Sequence, residues 1–202
     1  MTMSGQQGAA SAARRAMIDS QLRTSGVNEP WVLAAMFRVP REDFVPETAR
    51  SAAYIDRAIA LDDGSFLAAP LVHGRMLAEA APRLDDTALL IGDGKGYLAA
   101  LLRPLVGSLD AADPAQAAAA VTTKRKQGAY SLIVIDGAIE QLPVALAASL
   151  ADDGRLVTGL IERGVTRLAA GRKAGGAVAL LPLAELGIPV LPQFAAPKRW
   201  SF

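Results

Sequence analysis

Between Thr87 and Tyr97 the chain runs through Leu89, Leu90 and Ile91 into Gly92, Gly94 and Gly96, each separated by one residue, and then resumes as a helical pattern. A short apolar run that ends in glycine reads as a buried parallel strand. Glycines let the chain turn sharply and bring its amides close to a ligand with no Cβ in the way. The helix amino end behind them favours negative or polar ligand groups. A strand, a glycine turn and a helix in this order demand an α/β fold, with a ligand site at the carboxyl ends of the strands.

The rest of the chain agrees with that demand. Helical spacing runs from Tyr97 to Val106, a brief strand follows at Leu109–Ala112, and a helix opened by proline covers Pro114–Val121. Ser131–Ile135 is the strongest strand, Pro143–Leu150 a helix closed by Asp153-Gly154, and Arg155–Ile161 another strand. Thr166–Ala170 and Ala177–Leu183 read as an antiparallel hairpin across a glycine-rich turn. Alternation of this kind gives a mostly parallel sheet. The front third reads instead as helices without a strand. One spans Ala9–Leu22, with Ala13, Met17 and Leu22 on one side and a stop at Ser25-Gly26. A second spans Glu29–Arg38, opened by Pro30, with Trp31, Leu33, Met36 and Phe37 as its contacts. Residues 1–8 are expected to fray.

At 202 residues, the expectation is a single domain, with residues 1–80 as a helical, substrate-side layer and 81–202 as a Rossmann-like core. The 21 basic and 20 acidic side chains leave a net charge of +1, which gives no electrostatic reason to expect nucleic acid. Zero cysteines exclude disulfides and thiolate chemistry, and a single histidine excludes any site needing two imidazoles. No apolar run approaches the ~18 residues of a membrane span, and the expected location is the cytoplasm.

Several blocks, taken in order, resemble the protein-L-isoaspartate O-methyltransferase family of S-adenosylmethionine-dependent methyltransferases. They are Ala13–Arg23, Val39–Pro46 with Ala53–Leu61, Phe66–Met76, Ile91–Tyr97, Leu132–Ala138 with Pro143, Asp152–Val157 and Ile188–Pro197. The ending resembles alphaproteobacterial-type members. The resemblance implies a methyltransferase fold with S-adenosylmethionine as cofactor and isoaspartyl proteins or peptides as substrates. It assigns cofactor binding to Gly92, Asp93, Gly94, Gly96, Tyr97, Asp113 and Asp136, and the substrate side to Phe66, Ala68, Pro70 and His73.

The departures are equally specific. Ala68 stands at the family's serine, so the catalytic residue is left unassigned, and Phe66 stands at its threonine. Leu90 replaces an acid before the glycine loop. Only 17 residues, Pro114–Tyr130, separate Asp113 from the next strand, where the family fits a helix, a strand and another helix. The third strand of the sheet is therefore expected to be missing, and Pro114's helix to lie on the opposite sheet face from Tyr97's. The vacated edge leaves room for a second subunit, so a homo-oligomer stays open. A second reading follows from the same departures: a degenerate, non-catalytic methyltransferase fold that binds a partner. A nicotinamide oxidoreductase is the weakest alternative, because the dinucleotide fingerprint lacks its last glycine.

Individual residues keep two readings. His73 fits either a boundary hydrogen bond or substrate contact, Asp113 a helix cap or ribose binding, and Asp136-Gly137 a plain turn or a site. Arg75 reads as exposed, with the pocket as its alternative. Lys124, Arg125 and Lys126 read as a solvated helix end. Trp200 and Phe202 are expected to dock on the body or on a partner chain.

Overall fold

The computed structural model describes residues 3–119 and 127–197. Helix α1 (Met3–Met17) starts earlier than expected, so residues 3–8 are helical rather than frayed. It continues through a π-turn, Ile18–Leu22, and a 3-10 turn, Arg23–Ser25, and stops at Gly26 with φ 86°. Met17, Ile18 and Leu22 are buried, but Ala13 is exposed. Arg14 ties the helix down by donating to Tyr54 Oη (2.8 Å), Phe37 O (2.8 Å) and Glu42 Oε1 (3.1 Å).

Helix α2 (Pro30–Arg38) opens with Pro30 and buries Val32, Leu33, Ala35 and Met36, while Phe37 faces outward. Adjacent helical residues point about 100° apart, and Phe37 falls just outside the buried stripe that holds Val32, Leu33, Ala35 and Met36. The two prolines of Val39–Glu47 frame 3-10 turns at Arg41–Phe44 and Glu47–Ala52. Strands then appear where none was expected: β1 (Ile59–Ala60) and β2 (Phe66–Leu67) form an antiparallel pair. At two residues each they are too short to show a period. Helix α3 (Pro70–Ala80) follows, buried on most of its surface and packed on the sheet.

The sheet is built from β3 (Thr87–Ile91), β4 (Ser108–Ala112), β5 (Tyr130–Ile139), β6 (Leu150–Glu162), β7 (Val165–Ala174) and β8 (Ala177–Glu185), in the order β4-β3-β5-β6-β7-β8. The first four strands run parallel, and β7 and β8 close the sheet antiparallel. The expected hairpin is present but longer: only Gly175 and Gly176 turn, at φ 57° and 81°, as a two-residue hairpin loop requires. Among the described residues no strand lies beyond β4, in accord with the missing third strand.

Two expected turns are bulges. Asp153-Gly154 lies inside β6, where the pairing passes from Tyr130↔Leu150 to Leu132↔Arg155 and Asp153 takes φ 60°. Asp136-Gly137 lies inside β5, between Val134 and Ala138, where the register shifts again. Bulges and turns draw on the same glycine and aspartate chemistry.

Helices α4 (Tyr97–Leu102), α5 (Pro114–Ala119) and α6 (Val144–Ser149) make the crossovers. Along β3 the side chains alternate: Ala88 and Leu90 join the core beneath α1–α4, whereas Leu89 and Ile91 join a second core with Ala117 of α5 and Leu146 of α6. Helices α4 and α5 therefore lie on opposite faces. This is the arrangement that right-handed connections impose when the chain returns from β4 across β3 to β5. No helix among the described residues is long and apolar enough to cross a membrane.

Candidate active site

Strands β3 and β5 are neighbours whose onward connections leave on opposite faces, so a crevice opens at their carboxyl ends. Gly92 leaves β3 at this point and Asp136 sits across it on β5. A Cβ on Gly92 would lie 3.1 Å from Asp136 Cβ, and one on Gly94 only 2.8 Å from Ala111 Cβ. The glycine loop thus lies flush against both neighbouring strands, and a larger residue would lift it off. Asp93 braces the loop by accepting from Lys95 N at 2.8 Å, and Arg103 donates to Gly94 O at 2.7 Å.

The crevice widens into a cleft of about 600 Å³. The carboxylates of Asp43, Asp63, Asp93 and Asp136 line it, with Lys95 as the one cation among its lining residues. Phe44, Phe66 and Tyr97 supply aromatic wall. Its remaining side is Pro189–Gln193, which the sheet itself holds: Ala138 N donates to Pro189 O (2.8 Å) and Leu191 N to Ala138 O (2.9 Å). A shallower depression of about 450 Å³ continues from the loop along Ala111, Ala112 and Asp113. Asp113 Oδ1 accepts from Ala115 N (2.8 Å) and Gln116 N (3.3 Å), so this residue caps α5 while facing the depression.

Behind the cleft lies a buried polar chain. Arg41 is fully buried and spreads its guanidinium over three acceptors: Ala53 O (2.8 Å), Ala68 O and His73 Nδ1 (3.3 Å). Burial pushes its pKa down to about 10, which leaves it cationic at neutral pH. Arginine has no acceptor to offer, so His73 Nδ1 must accept and the ring proton sits on Nε2. That proton is donated to Asp136 Oδ1 at 3.0 Å. The Arg41 guanidinium also stacks 5.1 Å from the Tyr97 ring centre, and Phe44 meets that ring edge-on at 5.5 Å. The Tyr97 hydroxyl is buried without a partner among the described residues, and burial holds its pKa far above the ordinary range.

The residues singled out from sequence separate into two groups. Gly92, Asp93, Gly96, Tyr97 and Asp136 line the cleft, with Phe66 on its far wall; Gly94 and Asp113 border the depression. Ala68, Pro70 and His73 are buried in the wall rather than open to the cleft. His73 carries the expected hydrogen bond, but it is an interior residue and not a boundary one. Leu90 is core. Arg75 faces Glu79 at 4.0 Å and does not line the cleft. Lys124–Lys126, Trp200 and Phe202 lie outside the described residues. Sequence reasoning missed Arg41, Asp43, Asp63 and Ser65; Arg41 and Asp43 belong to the proline-framed block at Val39–Pro46, which was the available signal.

A family model described as protein-L-isoaspartate(D-aspartate) O-methyltransferase matches residues 12–112, ending directly before the shortened stretch. A Methanoculleus marisnigri protein named protein-L-isoaspartate O-methyltransferase is 32% identical over 203 residues, covering 90% of this chain and 92% of its own. A Rhodopseudomonas palustris protein named protein-L-isoaspartate O-methyltransferase 1 is 34% identical over 167 residues, covering 72% and 68%. Among solved structures, a Plasmodium falciparum chain described as a protein-L-isoaspartate O-methyltransferase in complex with S-adenosyl-L-homocysteine superposes with a TM-score of 0.68. It covers 91% of this chain and 98% of its own at 18% identity, a likeness of fold.

Proposed function

The chain belongs to the protein-L-isoaspartate(D-aspartate) O-methyltransferase family, and from that membership we propose that it methylates the free carboxylate of isoaspartyl residues in cytoplasmic proteins and peptides, using S-adenosylmethionine. The observation that carries this reading is the meeting of the glycine loop and Asp136 at the sheet's switch point, in a cleft lined by four carboxylates.

S-adenosylmethionine supplies, when bound, a methyl group on a positively charged sulfur. The residues present fit such a group. A donor with a sulfonium and an ammonium suits a lining in which Asp43, Asp63, Asp93 and Asp136 outnumber Lys95. The loop at Gly92–Gly96 offers backbone that no Cβ shields, and Asp113 beside the shallow depression is suited to the ribose hydroxyls. No acid stands at Leu90, and no strand beyond β4 walls the adenine side among the described residues. Fewer contacts on that side make the amino-acid end the stronger handle.

The acceptor needs little chemistry from the protein. An ionised carboxylate is already a nucleophile, so orientation and charge placement do most of the work. Leu61, Phe66, Leu67 and Phe44 supply an apolar wall beside it. Ala68 supplies no hydroxyl, and the Ser65 hydroxyl is engaged with Asp63 at 2.6 Å. Lys95 is exposed, lines the cleft and makes no side-chain ion pair among the described residues, which leaves its ammonium available to a substrate carboxylate.

The test is transfer of labelled methyl from S-adenosylmethionine to two peptides differing only in isoaspartate against aspartate. The expected result is base-labile label in the isoaspartyl peptide alone. No transfer at saturating cofactor would overturn the activity and favour a non-catalytic, partner-binding protein of the same fold.

A further inference from the structure

The chain from Arg41 through His73 to Asp136 is an unusual use of buried charge. Moving a guanidinium out of water is costly unless its nitrogens find partners. Here all three nitrogens do, on three separate segments: Ala53 after the second 3-10 turn, Ala68 between β2 and α3, and His73 within α3. The segments that build the wall of the cleft are thus clamped to one cation. His73 is fully buried, so its imidazole cannot touch a ligand in the cleft. It can only transmit an orientation.

Transmission runs one way. Arg41 donates to Nδ1, which fixes the single ring proton on Nε2, and that proton meets Asp136 Oδ1 at 3.0 Å. Asp136 Oδ2 has no protein partner among the described residues, and its side chain is 20% exposed, into the cleft. The outcome is a carboxylate with one oxygen anchored from behind and the other presented beside Gly92. A carboxylate so placed attracts a cation and repels a second carboxylate.

We propose that Arg41 and His73 are positioning residues which, through the Nε2 proton of His73, aim the free oxygen of Asp136 at the ammonium of the methyl donor's amino-acid end. The inference rests on the proposed use of S-adenosylmethionine and assigns a handle for it on the side of the cleft away from β4. A relay of this kind gives selectivity between ligands that share the adenosine and differ in the amino-acid end. A purely structural cluster gives none.

Calorimetric titration with two probes separates these roles. S-adenosylhomocysteine keeps the ammonium, whereas 5′-methylthioadenosine keeps the adenosine and thioether but has no amino-acid end. His73→Phe preserves the ring and removes both nitrogens; His73→Gln preserves a donor within reach of Asp136. His73→Phe is expected to bind S-adenosylhomocysteine about tenfold more weakly, the scale of one charge-assisted hydrogen bond, with its methylthioadenosine affinity unchanged. His73→Gln is expected to recover most of the loss. Melting temperatures are recorded for each variant, and if His73→Phe does not fold, His73→Asn, whose amide is too short to reach Asp136, takes its place. Equal losses for both probes, or no loss for either, overturn the relay. Wild-type protein that binds neither probe overturns the cofactor reading itself, a different result from a wild type that binds and a variant that fails to discriminate.

Discussion

Strands β4 and β5 are both parallel partners of β3, yet they make opposite kinds of wall. Strand β5 is buried along nearly its whole length and carries Asp136, backed by His73 and Arg41. Strand β4 is an edge, mostly open to solvent, and presents Ala111 and Ala112 to the glycine loop. One wall is backed by a buried, hydrogen-bonded cation; the other meets the loop with alanine side chains and precedes a crossover of 17 residues. The contrast teaches that a switch-point cleft can be built mainly from one side: among the described residues no strand lies beyond β4, yet the glycine loop still meets Asp136 across the crevice. Helix α5 returns over β3 on the face opposite α4, as right-handed connections require.

The contrast can be broken most severely at the loop. Gly94→Val would drive its side chain into Ala111, 2.8 Å from where a Cβ would stand, and overpacking of this kind costs about 1–3 kcal/mol. Cofactor affinity measured by calorimetry should fall at least about tenfold, with the melting temperature lowered by about 2–12 °C. An unchanged affinity would mean that contact between loop and β4 is irrelevant to binding.

A smaller effect is expected at Lys95. A solvent-exposed ion pair contributes about 0.2–1 kcal/mol, so Lys95→Ala should raise the KM for an isoaspartyl peptide by up to about fivefold with kcat little altered. Lys95→Arg should restore it. Steady-state kinetics would contradict this assignment if kcat fell and KM stayed constant.

The sequence made the parallel strands and the glycine loop legible because both depend on local pattern: continuous apolar runs, and glycine where the backbone approaches a neighbour. The placement of α4 and α5 on opposite faces was legible too, since handedness and the short crossover leave one solution. Arg41 was not. An arginine beside Glu42 and Asp43 reads as solvated, and only the folded chain shows three acceptors converging on it. His73 was misplaced at a boundary because α3 is buried around most of its circumference, which hides the amphipathic period. Asp136-Gly137 and Asp153-Gly154 have turn chemistry but serve as bulges, and the distinction depends on which strand lies alongside. The pair β1 and β2 left no trace at two residues per strand.

The central claim is that the weakened β4 wall still leaves a working cofactor site, held from the β5 side. Titration of the wild-type protein and Asp136→Asn with S-adenosylmethionine tests it most directly. One site with a micromolar dissociation constant is expected in the wild type, weakened at least about tenfold by the loss of charge in Asp136→Asn. No binding to the wild type at millimolar cofactor, or equal affinity in the two proteins, would contradict it.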